Sequence, residues 1–392
     1  MPSQANEQPT AVLTAPATDR AATSIQPCKT DLIRQLRKLH VPGLAAAIIK
    51  DDQLIGAGAA GMADIEQARP VTPDTCFLVA SVSKTVTATA LMQLYEQGEL
   101  KLDDDINKYL PYAARIPAEP ISPITFRQLL THTASLKDNG IYFDCPGYSR
   151  YGLRFGSFIT RGADSPISLA DFTKGYLTPG GAYYDKRKNF KSRPPGTSDD
   201  YSNMGITLVG YLVEVISRTP FDQYCNEHIF KPLGMHTTSW RLAGMDPSTL
   251  AIPYDKSLRG YVPYGHYGEP SYPDGMLRTS VIELARFLMA YMEGGQYNLR
   301  RILKPTTVAE MLMSQTPLDL AQGLVWYRDQ ISRRWKRRTV WGHDGSDFGA
   351  GAKMWFDPAR RTGVILMTNG VWKFKRARKL LARLFDEADE YS

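Results

Sequence analysis

Strand-like segments near both ends of the chain restrict its fold more than any other feature of the sequence. Near the N-terminus, apolar runs at 43–49 and 53–59 flank two aspartates, a pattern typical of a β-hairpin. Near the C-terminus, strand-like runs at 350–356 and 363–368 flank a turn that contains Asp-Pro. The long region between the two ends has helical patterns and loops. We therefore expect an α/β fold in which one antiparallel sheet is formed from both chain ends and flanked by helices, with a mostly helical domain inserted.

The same pattern predicts domain boundaries. Residues 1–28, rich in Pro, Ala, Thr and Ser, are expected to form a disordered leader. Residues 29–80 and 320–392 are predicted to form a discontinuous sheet domain, and residues 81–319 a mostly helical domain with a loop insertion at 137–195. The leader lacks the basic start and apolar run of a secretory signal, and no stretch reaches the roughly 20 apolar residues that span a membrane. We expect a cytoplasmic protein without a transmembrane segment, although an already removed signal peptide would leave the same pattern.

The excess of positive charge is confined to two short segments. The chain has 47 basic and 40 acidic residues, a formal net charge of +7, and the segments 328–338 and 373–383 hold this excess. No zinc-finger, RNA-binding or helix-turn-helix pattern accompanies them, so we do not expect a nucleic-acid partner. The simplest interpretation is two solvated basic faces, and the alternative is a site for an anionic partner or surface.

Patterns for metal sites and disulfide frameworks are missing from the sequence. The four cysteines are far apart and form no CxxC pair. The six histidines include no HExxH and no close pair with metal-ligand spacing. We therefore expect neither a metal nor another cofactor.

A helical pattern from Ser81 to Gln97 carries the first candidate catalytic residues. It places Ser81 at the helix N-terminus and Lys84 one turn later on the same face. A serine at this position is usually only an N-cap. It can act as a nucleophile if a neighbouring base removes its proton, and Lys84 can be that base if burial and nearby positive potential lower its pKa.

A second segment, Tyr-Ser-Asn, follows a proline-rich loop. Tyr201 near a lysine ammonium can exchange a proton with a serine, and Asn203 can orient the lysine and donate to a substrate carbonyl. The alternative for either residue is a helix N-cap after a loop.

A third segment opens a strand near the C-terminus and contains His343, Gly345 and Ser346. Glycine lets a substrate backbone lie against the strand, and a backbone N–H there can complete an oxyanion hole with the N–H of Ser81. A lone histidine beside a strand is more often a structural hydrogen-bonding group.

Taken in this order, the three segments resemble the Ser-x-x-Lys, Tyr-x-Asn and Lys-Thr-Gly boxes of penicillin-recognising serine enzymes. The segments 124–133, 194–240, 273–295 and 342–358 also look like parts of this family, so the resemblance extends from Leu32 to the C-terminus. It is closest to the class C β-lactamase-like family, which includes esterases, D-amino-acid-specific peptidases and acyltransferases. The resemblance implies a β-lactamase/transpeptidase-like fold with the active site in a cleft between sheet and helices.

The resemblance also implies a role for each candidate residue. Ser81 would be the acylated nucleophile. Lys84 and Tyr201 would share the general base and acid work. Asn203 would belong to the hydrogen-bonding network, and the backbone amides of Ser81 and Ser346 would form the oxyanion hole.

His343 is the informative departure from the family pattern, because it takes the place of the third-box lysine. A charged lysine helps hold the carboxylate of a β-lactam, whereas a histidine is largely neutral near pH 7. Family members with His-x-Gly here are often esterases. We therefore expect weaker β-lactam recognition and a small to medium carboxylic ester or amide as substrate, with hydrolysis through an acyl-enzyme. Two smaller departures are HTASL at 132–136 and Met276 in place of a glycine.

Several alternatives remain open in the sequence. A D-amino-acid peptidase or carboxypeptidase and a β-lactamase share the boxes, and an acyltransferase would favour an alcohol or amine over water. A non-catalytic binding or sensor protein would usually have lost a box. The aromatic-rich stretch 140–190 is either a wall of the acyl pocket or a loop packed on its own aromatics. No feature indicates an oligomeric state.

Overall fold

One large sheet forms the centre of the fold. The computed structural model describes residues 26–28, 30–140, 159–258, 260–333 and 336–391. In chain order, the strands of the sheet are β1 (Gln26–Pro27), β2 (Gly43–Lys50), β3 (Gln53–Asp64), β4 (Arg69–Pro70), β5 (Tyr327–Arg333), β6 (Lys336–Asp347), β7 (Ala350–Asp357) and β8 (Thr362–Thr368). They are arranged β1-β3-β2-β8-β7-β6-β5, with β4 paired to β3.

Both predicted hairpins, β2–β3 and β7–β8, are confirmed. The two residues between β2 and β3, Asp51 and Asp52, have φ of 47° and 60°, the left-handed conformation that a tight two-residue hairpin turn requires. Strand β8 pairs antiparallel with β2, and Leu366 lies opposite Ala46. The two chain ends therefore share one sheet, as predicted, although β1 pairs with β3 in parallel.

The described helices flank this sheet or form the region between its two halves. In chain order they are α1 (Leu32–Leu39), α2 (Ser83–Glu96), α3 (Phe126–Leu130), α4 (Leu169–Leu177), α5 (Asn203–Ser217), α6 (Phe221–Cys225), α7 (Lys231–Leu233), α8 (Val281–Met292), α9 (Pro305–Met311) and α10 (Phe374–Ala388). Shorter strands pair outside the sheet, Phe77–Leu78 with Arg278–Thr279, Thr160–Arg161 with Tyr267–Gly268, Tyr254–Ser257 with Gly260–Pro263, and Gln296–Tyr297 with Arg300–Arg301. No helix of the described chain is long and apolar enough to cross a bilayer.

The sheet separates two apolar cores. Alternate residues of β2 point to opposite faces, so Ala45 and Ala47 join the core shared with the helical region while Leu44 and Ile48 join the other. The second core is closed by α1 and α10. Because the central strands are buried on both faces, their sequences are continuous apolar runs rather than alternating patterns.

Several predicted boundaries can be compared with these elements. The sheet includes the end of the predicted leader, because Gln26 lies opposite Gly56 and Pro27 opposite Ala57. Helix α8, assigned to the 81–319 region, contacts β2, β3 and β8. The domain limits stay a prediction.

The aromatic-rich stretch 140–190 is only partly described. Its six aromatic residues between 141 and 158 lie outside the described residues. In the rest, Phe172 packs against Tyr176 and Tyr183 with ring centroids 6.1 Å and 5.6 Å apart. The described part therefore packs on its own aromatics, and it includes helix α4 within the predicted loop insertion.

Candidate active site

Ser81 lies in a 3₁₀ turn, Ala80–Val82, immediately before α2. Helix α2 begins at Ser83, two residues later than predicted, so Ser81 is not the N-cap of the helix. Ala80 has φ of 47°, a strained conformation for a residue other than glycine. The hydroxyl of Ser81 is thus held outside the regular helix, where a cavity can reach it.

Gly345 on β6 allows the sheet to lie against this turn. A Cβ atom at Gly345 would lie 2.2 Å from the carbonyl oxygen of Val79 and 3.2 Å from the backbone nitrogen of Ser81. Any side chain would therefore push β6 away from the turn. The group that lies close to Gly345 is thus the Ser81 turn, and the predicted approach of a substrate backbone to this glycine stays a prediction.

Lys84 is completely buried one turn after Ser81. Its Nζ atom donates to Ser81 Oγ at 2.9 Å and to the backbone carbonyl of Asp274 at 2.6 Å. Nζ also lies 5.2 Å from the ring centroid of Tyr201. The structure therefore brings the predicted Ser81, Lys84 and Tyr201 together.

The charge state of Lys84 differs from the expectation. Burial acts to lower the pKa of Lys84, but the charges of Tyr201 and Asp274 and a hydrogen bond to Tyr201 outweigh it, so the pKa is raised. An ammonium group has three hydrogens to donate. Its bonds to Ser81 Oγ and to the Asp274 carbonyl use two of them, and the third remains for the neighbouring Tyr201.

Asp274 and its neighbours form a buried acidic environment beside Lys84 that was not predicted from the sequence. Asp274 Oδ1 lies 3.9 Å from Lys84 Nζ, and Thr207 Oγ1 on α5 donates to Asp274 Oδ2 at 2.8 Å. Burial raises the pKa of Asp274 to about 7, against the opposing charge of Lys84. Burial also raises the pKa values of Glu269 and Asp347.

Tyr201 and Asn203 are positioned by the N-terminus of α5. Ser202 caps this helix by accepting the Gly205 N–H at 3.0 Å. Asp138 accepts the N–H groups of Asn203 and Met204, both at 2.9 Å, a favourable place for a carboxylate. Asp138 was missed because nothing in its local sequence marks it. The side chain of Asn203 is not among those that line the cavity around Ser81, so its predicted contact with the substrate stays a prediction.

His132 supports the ring of Tyr201. In the sequence, this residue was noted only as part of the HTASL segment that departs from the family pattern. The ring centroids of His132 and Tyr201 are 4.5 Å apart. The Nδ1 atom of His132 accepts the Ser202 N–H at 3.3 Å, so the ring's hydrogen is on Nε2. Burial and the charge of Lys84 lower the pKa of His132 to about 3, which keeps the ring neutral.

His343 lies on β6 opposite Met354, with its ring centroid 6.4 Å from that of Tyr201. Its Nδ1 lies 2.6 Å from the carbonyl oxygen of Asp344. A carbonyl only accepts, so Nδ1 carries the hydrogen and Nε2 presents a lone pair. Burial and the charge of Lys84 lower the pKa of His343 to about 4, so the ring is neutral at pH 7.

A cavity of about 540 Å³ joins most of the predicted residues. Its lining includes Ser81, Tyr201, His343, Gly345 and Ser346. Strand β5 pairs with β6 only as far as Gly342, so the edge of β6 that follows faces this space. The remaining wall includes the unpredicted aromatic side chains of Tyr327, Trp355, Trp372 and Phe374. None of the described aromatic residues of the 140–190 stretch lines it.

Within the described residues, no group of three or more His, Cys, Asp or Glu side chains could hold a metal ion. The site therefore offers the chemistry of a serine hydroxyl, a lysine ammonium, a phenol and backbone amides. A hydroxyl bonded to a buried lysine, at the end of a cavity beside an unpaired strand edge, is an arrangement for acyl transfer.

Comparison with known proteins gives consistent matches. A family model described as Beta-lactamase matches residues 30–388. Penicillin-binding protein 4 of Amycolatopsis lactamdurans is 26% identical over 353 residues, covering 84% of this chain and 81% of that protein. Esterase EstB of Burkholderia gladioli is 29% identical over 230 residues, which is 56% of this chain and 52% of the esterase.

Solved structures show the same fold. The crystal structure of D-amino acid amidase from Ochrobactrum anthropi SV3 complexed with D-phenylalanine superposes with a TM-score of 0.70 at 20% identity, covering 92% of this chain and 97% of that one. At this identity the likeness concerns the fold alone. The family match over nearly the whole chain establishes more: the protein belongs to the beta-lactamase family and is a serine hydrolase of that family.

Proposed function

We propose that the protein is a carboxylesterase that hydrolyses small to medium esters through an acyl-enzyme on Ser81. The observation that carries this proposal is the 2.9 Å contact between the buried Lys84 Nζ and the Oγ of Ser81, a residue that lines the cavity. Ser81 attacks the ester carbonyl and releases the alcohol, and water then removes the acyl group. The backbone amides of Ser81 and Ser346 are proposed to stabilise the oxyanion in both steps.

The raised pKa of Lys84 supports one division of the proton transfers. Lys84 already holds its full set of hydrogens, so it is poorly suited to accept the proton of Ser81. We propose that Tyr201, as a phenolate beside the Lys84 ammonium, takes that proton and becomes a phenol. Lys84 then acts by holding Tyr201 and Ser81 in place and by supplying positive charge near the reacting atoms.

His343 favours a neutral ester over a substrate with a carboxylate beside the scissile bond. Its ring is uncharged, and its free nitrogen, Nε2, is an acceptor rather than a donor. It therefore cannot supply the charged hydrogen bond that a lysine gives to a carboxylate. A hydroxyl or amide N–H of the substrate could instead donate to Nε2.

Ser81→Ala tests the nucleophile. We expect this variant to lose hydrolysis of p-nitrophenyl esters by at least about 10⁴-fold and to lose covalent labelling by a fluorophosphonate. Lys84→Ala and Tyr201→Phe should each lose several orders of magnitude, because the three groups act together. The matched control is Ser248→Ala, at an exposed serine outside the cavity, which should keep both properties. Unchanged turnover in Ser81→Ala would sink the assignment.

A second candidate is hydrolysis of D-amino-acid amides or peptides. It is favoured by the charged state of Lys84, since a leaving amine must receive a proton and an ammonium group can give one. Comparing p-nitrophenyl esters, nitrocefin and D-alanyl p-nitroanilide on one preparation separates the candidates. A larger kcat/KM for the anilide than for every ester would replace the esterase proposal. Faster product formation with an added alcohol or amine would indicate an acyltransferase, and no acylation by any of these probes would indicate a binding protein.

A further inference from the structure

One face of the molecule combines exposed basic side chains with exposed apolar ones. It is formed by the end of α1, the hairpin of strands Tyr254–Ser257 and Gly260–Pro263, and the start of α10. We call it the basic face and define it by its members, Lys38, Lys256, Leu258, Val371, Lys373, Phe374, Lys375 and Arg376. All of them are exposed.

Contacts between the three elements hold these residues on one side. The hairpin is fixed to the chain that leads into α10, because the Tyr254 N–H donates to the Asn369 carbonyl at 3.1 Å. Helix α10 is fixed to the end of α1, because the Arg376 guanidinium donates to the Lys38 carbonyl. The base of the hairpin is therefore joined to the chain that leads into α10, and the start of α10 is joined to the end of α1.

Three of the positively charged side chains lie close enough to His40 to affect its pKa. The pKa of His40, at the end of α1, is lowered, with the charge of Lys256 as the main cause and smaller effects from burial, Arg376 and Lys373. None of the four lysines forms an ion pair with another described residue. The acid on the hairpin, Asp255, accepts the backbone N–H of Lys256.

Apolar side chains project among these charges. Leu258 at the hairpin tip is 93% exposed, Phe374 is 57% exposed and Val371 is 52% exposed. Exposed apolar groups that are close together usually mark an interaction surface. Basic side chains around protruding apolar ones are the composition that peripheral proteins use at anionic membranes.

We propose that the basic face docks on the surface of an anionic lipid bilayer, with Leu258, Val371 and Phe374 entering the headgroup region and the lysines contacting anionic headgroups. A soluble polyanion would satisfy the lysines but would give the leucine no apolar environment, so the combination favours a bilayer. Phe374 also lines the cavity that reaches Ser81. If the proposed esterase function holds, docking therefore places the cavity beside the bilayer, from which an ester could enter.

Vesicle sedimentation tests the docking. The protein is mixed with vesicles of phosphatidylcholine alone and with vesicles containing about 30% phosphatidylglycerol, a content at which surface potential becomes appreciable. We expect binding to the anionic vesicles at low salt, at least tenfold weaker binding at about 0.5 M salt, and little binding to neutral vesicles. The same measurement on Ser81→Ala should be unchanged, so this inference can succeed or fail independently of the catalytic assignment.

Matched variants separate the apolar from the basic contribution. Leu258→Ser should weaken binding about fivefold to tenfold, the effect of withdrawing a leucine from an apolar environment. Its control is Ile121→Ser, because Ile121 is 92% exposed but outside the basic face.

The double change Lys256→Gln with Lys373→Gln should weaken binding about 25-fold, or about fivefold for each lysine. Its control is the double change Lys174→Gln with Lys186→Gln, at exposed lysines elsewhere.

Three results would overturn the inference. The first is binding that is equal for neutral and anionic vesicles. The second is equal loss in a variant and its control. The third is binding to heparin at least as tight as to vesicles together with no effect of Leu258→Ser, which would assign the face to a soluble polyanion.

Discussion

Asp274→Asn tests whether a buried carboxylate is kept beside Lys84 at a cost to stability. Burial raises the pKa of Asp274 from 3.8 to about 7, and the charges of Asp138 and Asp347 add to that rise while Lys84 opposes it. Asparagine has nearly the same shape and can still accept the bond from Thr207, but it carries no charge. The substitution therefore removes the ionisation with little change in packing.

The sign and size of the effect follow from the pKa difference. Between pH 3.8 and about 7, the folded carboxyl keeps a proton that the unfolded carboxyl has lost, so stability falls as the pH rises through this window. A shift of about 3 units corresponds to about 4 kcal/mol, all of it present at pH 8 and roughly 1.5 kcal/mol of it at pH 5. With an unfolding entropy of about 2 cal/mol/K per residue, these free energies correspond to a rise in Tm for a chain of this length. The rise is about 5 °C at pH 8 and about 2 °C at pH 5.

Thermal unfolding at pH 5 and pH 8 measures this difference. We expect Asp274→Asn to have a higher Tm than the wild type at both values, with the larger gap at pH 8. Asp74→Asn, at an exposed carboxylate, is the matched control and should show no such gap. The variant should also acylate about tenfold more slowly, a loss of roughly 1.4 kcal/mol of transition-state stabilisation, because Lys84 loses a charged neighbour. An equal gap at the two pH values, or a variant less stable than the wild type at pH 8, would refute the reasoning.

His343→Lys should lower the acylation rate with a neutral p-nitrophenyl ester and raise the rate with a cephalosporin by about threefold to tenfold, since a fixed charge binds the carboxylate while burial and Lys84 oppose that charge. An unchanged ratio of the two second-order rates would mean that His343 does not set the substrate class. Gly345→Ala should lower kcat/KM about 100-fold or more, because the added Cβ displaces the turn that holds Ser81. Its control is Gly275→Ala, whose Cβ would meet only Asp347 Oδ2 at 3.8 Å, and full activity in Gly345→Ala would show that the turn adapts.

Local patterns in the sequence predicted the hairpins β2–β3 and β7–β8 and their common sheet, but not β1, β4 and β5, and they did not separate β6 from β7. The β2–β3 hairpin has a strong signal, because two turn residues separate two apolar runs and both adopt left-handed conformations. The pairing of the two chain ends followed from the need to bury these runs together. The start of α2 was placed two residues too early, because a 3₁₀ turn before a helix has the same spacing pattern as the helix itself.

The site was predictable where its residues follow one another in the chain and not where they meet from distant elements. Ser81 and Lys84 are one helical turn apart, so their contact was foreseeable. The raised pKa of Lys84 was not, because it depends on the charges of Tyr201 and Asp274, which reach the lysine from distant parts of the chain. No periodicity connects such positions, so the sequence did not indicate the sign of the shift.

The position of β8 has a consequence for how the chain folds. This strand is the last of the sheet in sequence, yet it lies between β2 and β7, near the middle of the sheet. Such a topology has a high contact order, and folding that requires distant pairing is slow. During synthesis, the edge of β2 stays unpaired until the long segment between β2 and β8 and then β8 itself have been made. An exposed strand edge favours aggregation, so we expect the nascent chain to bind a chaperone until β8 pairs with β2.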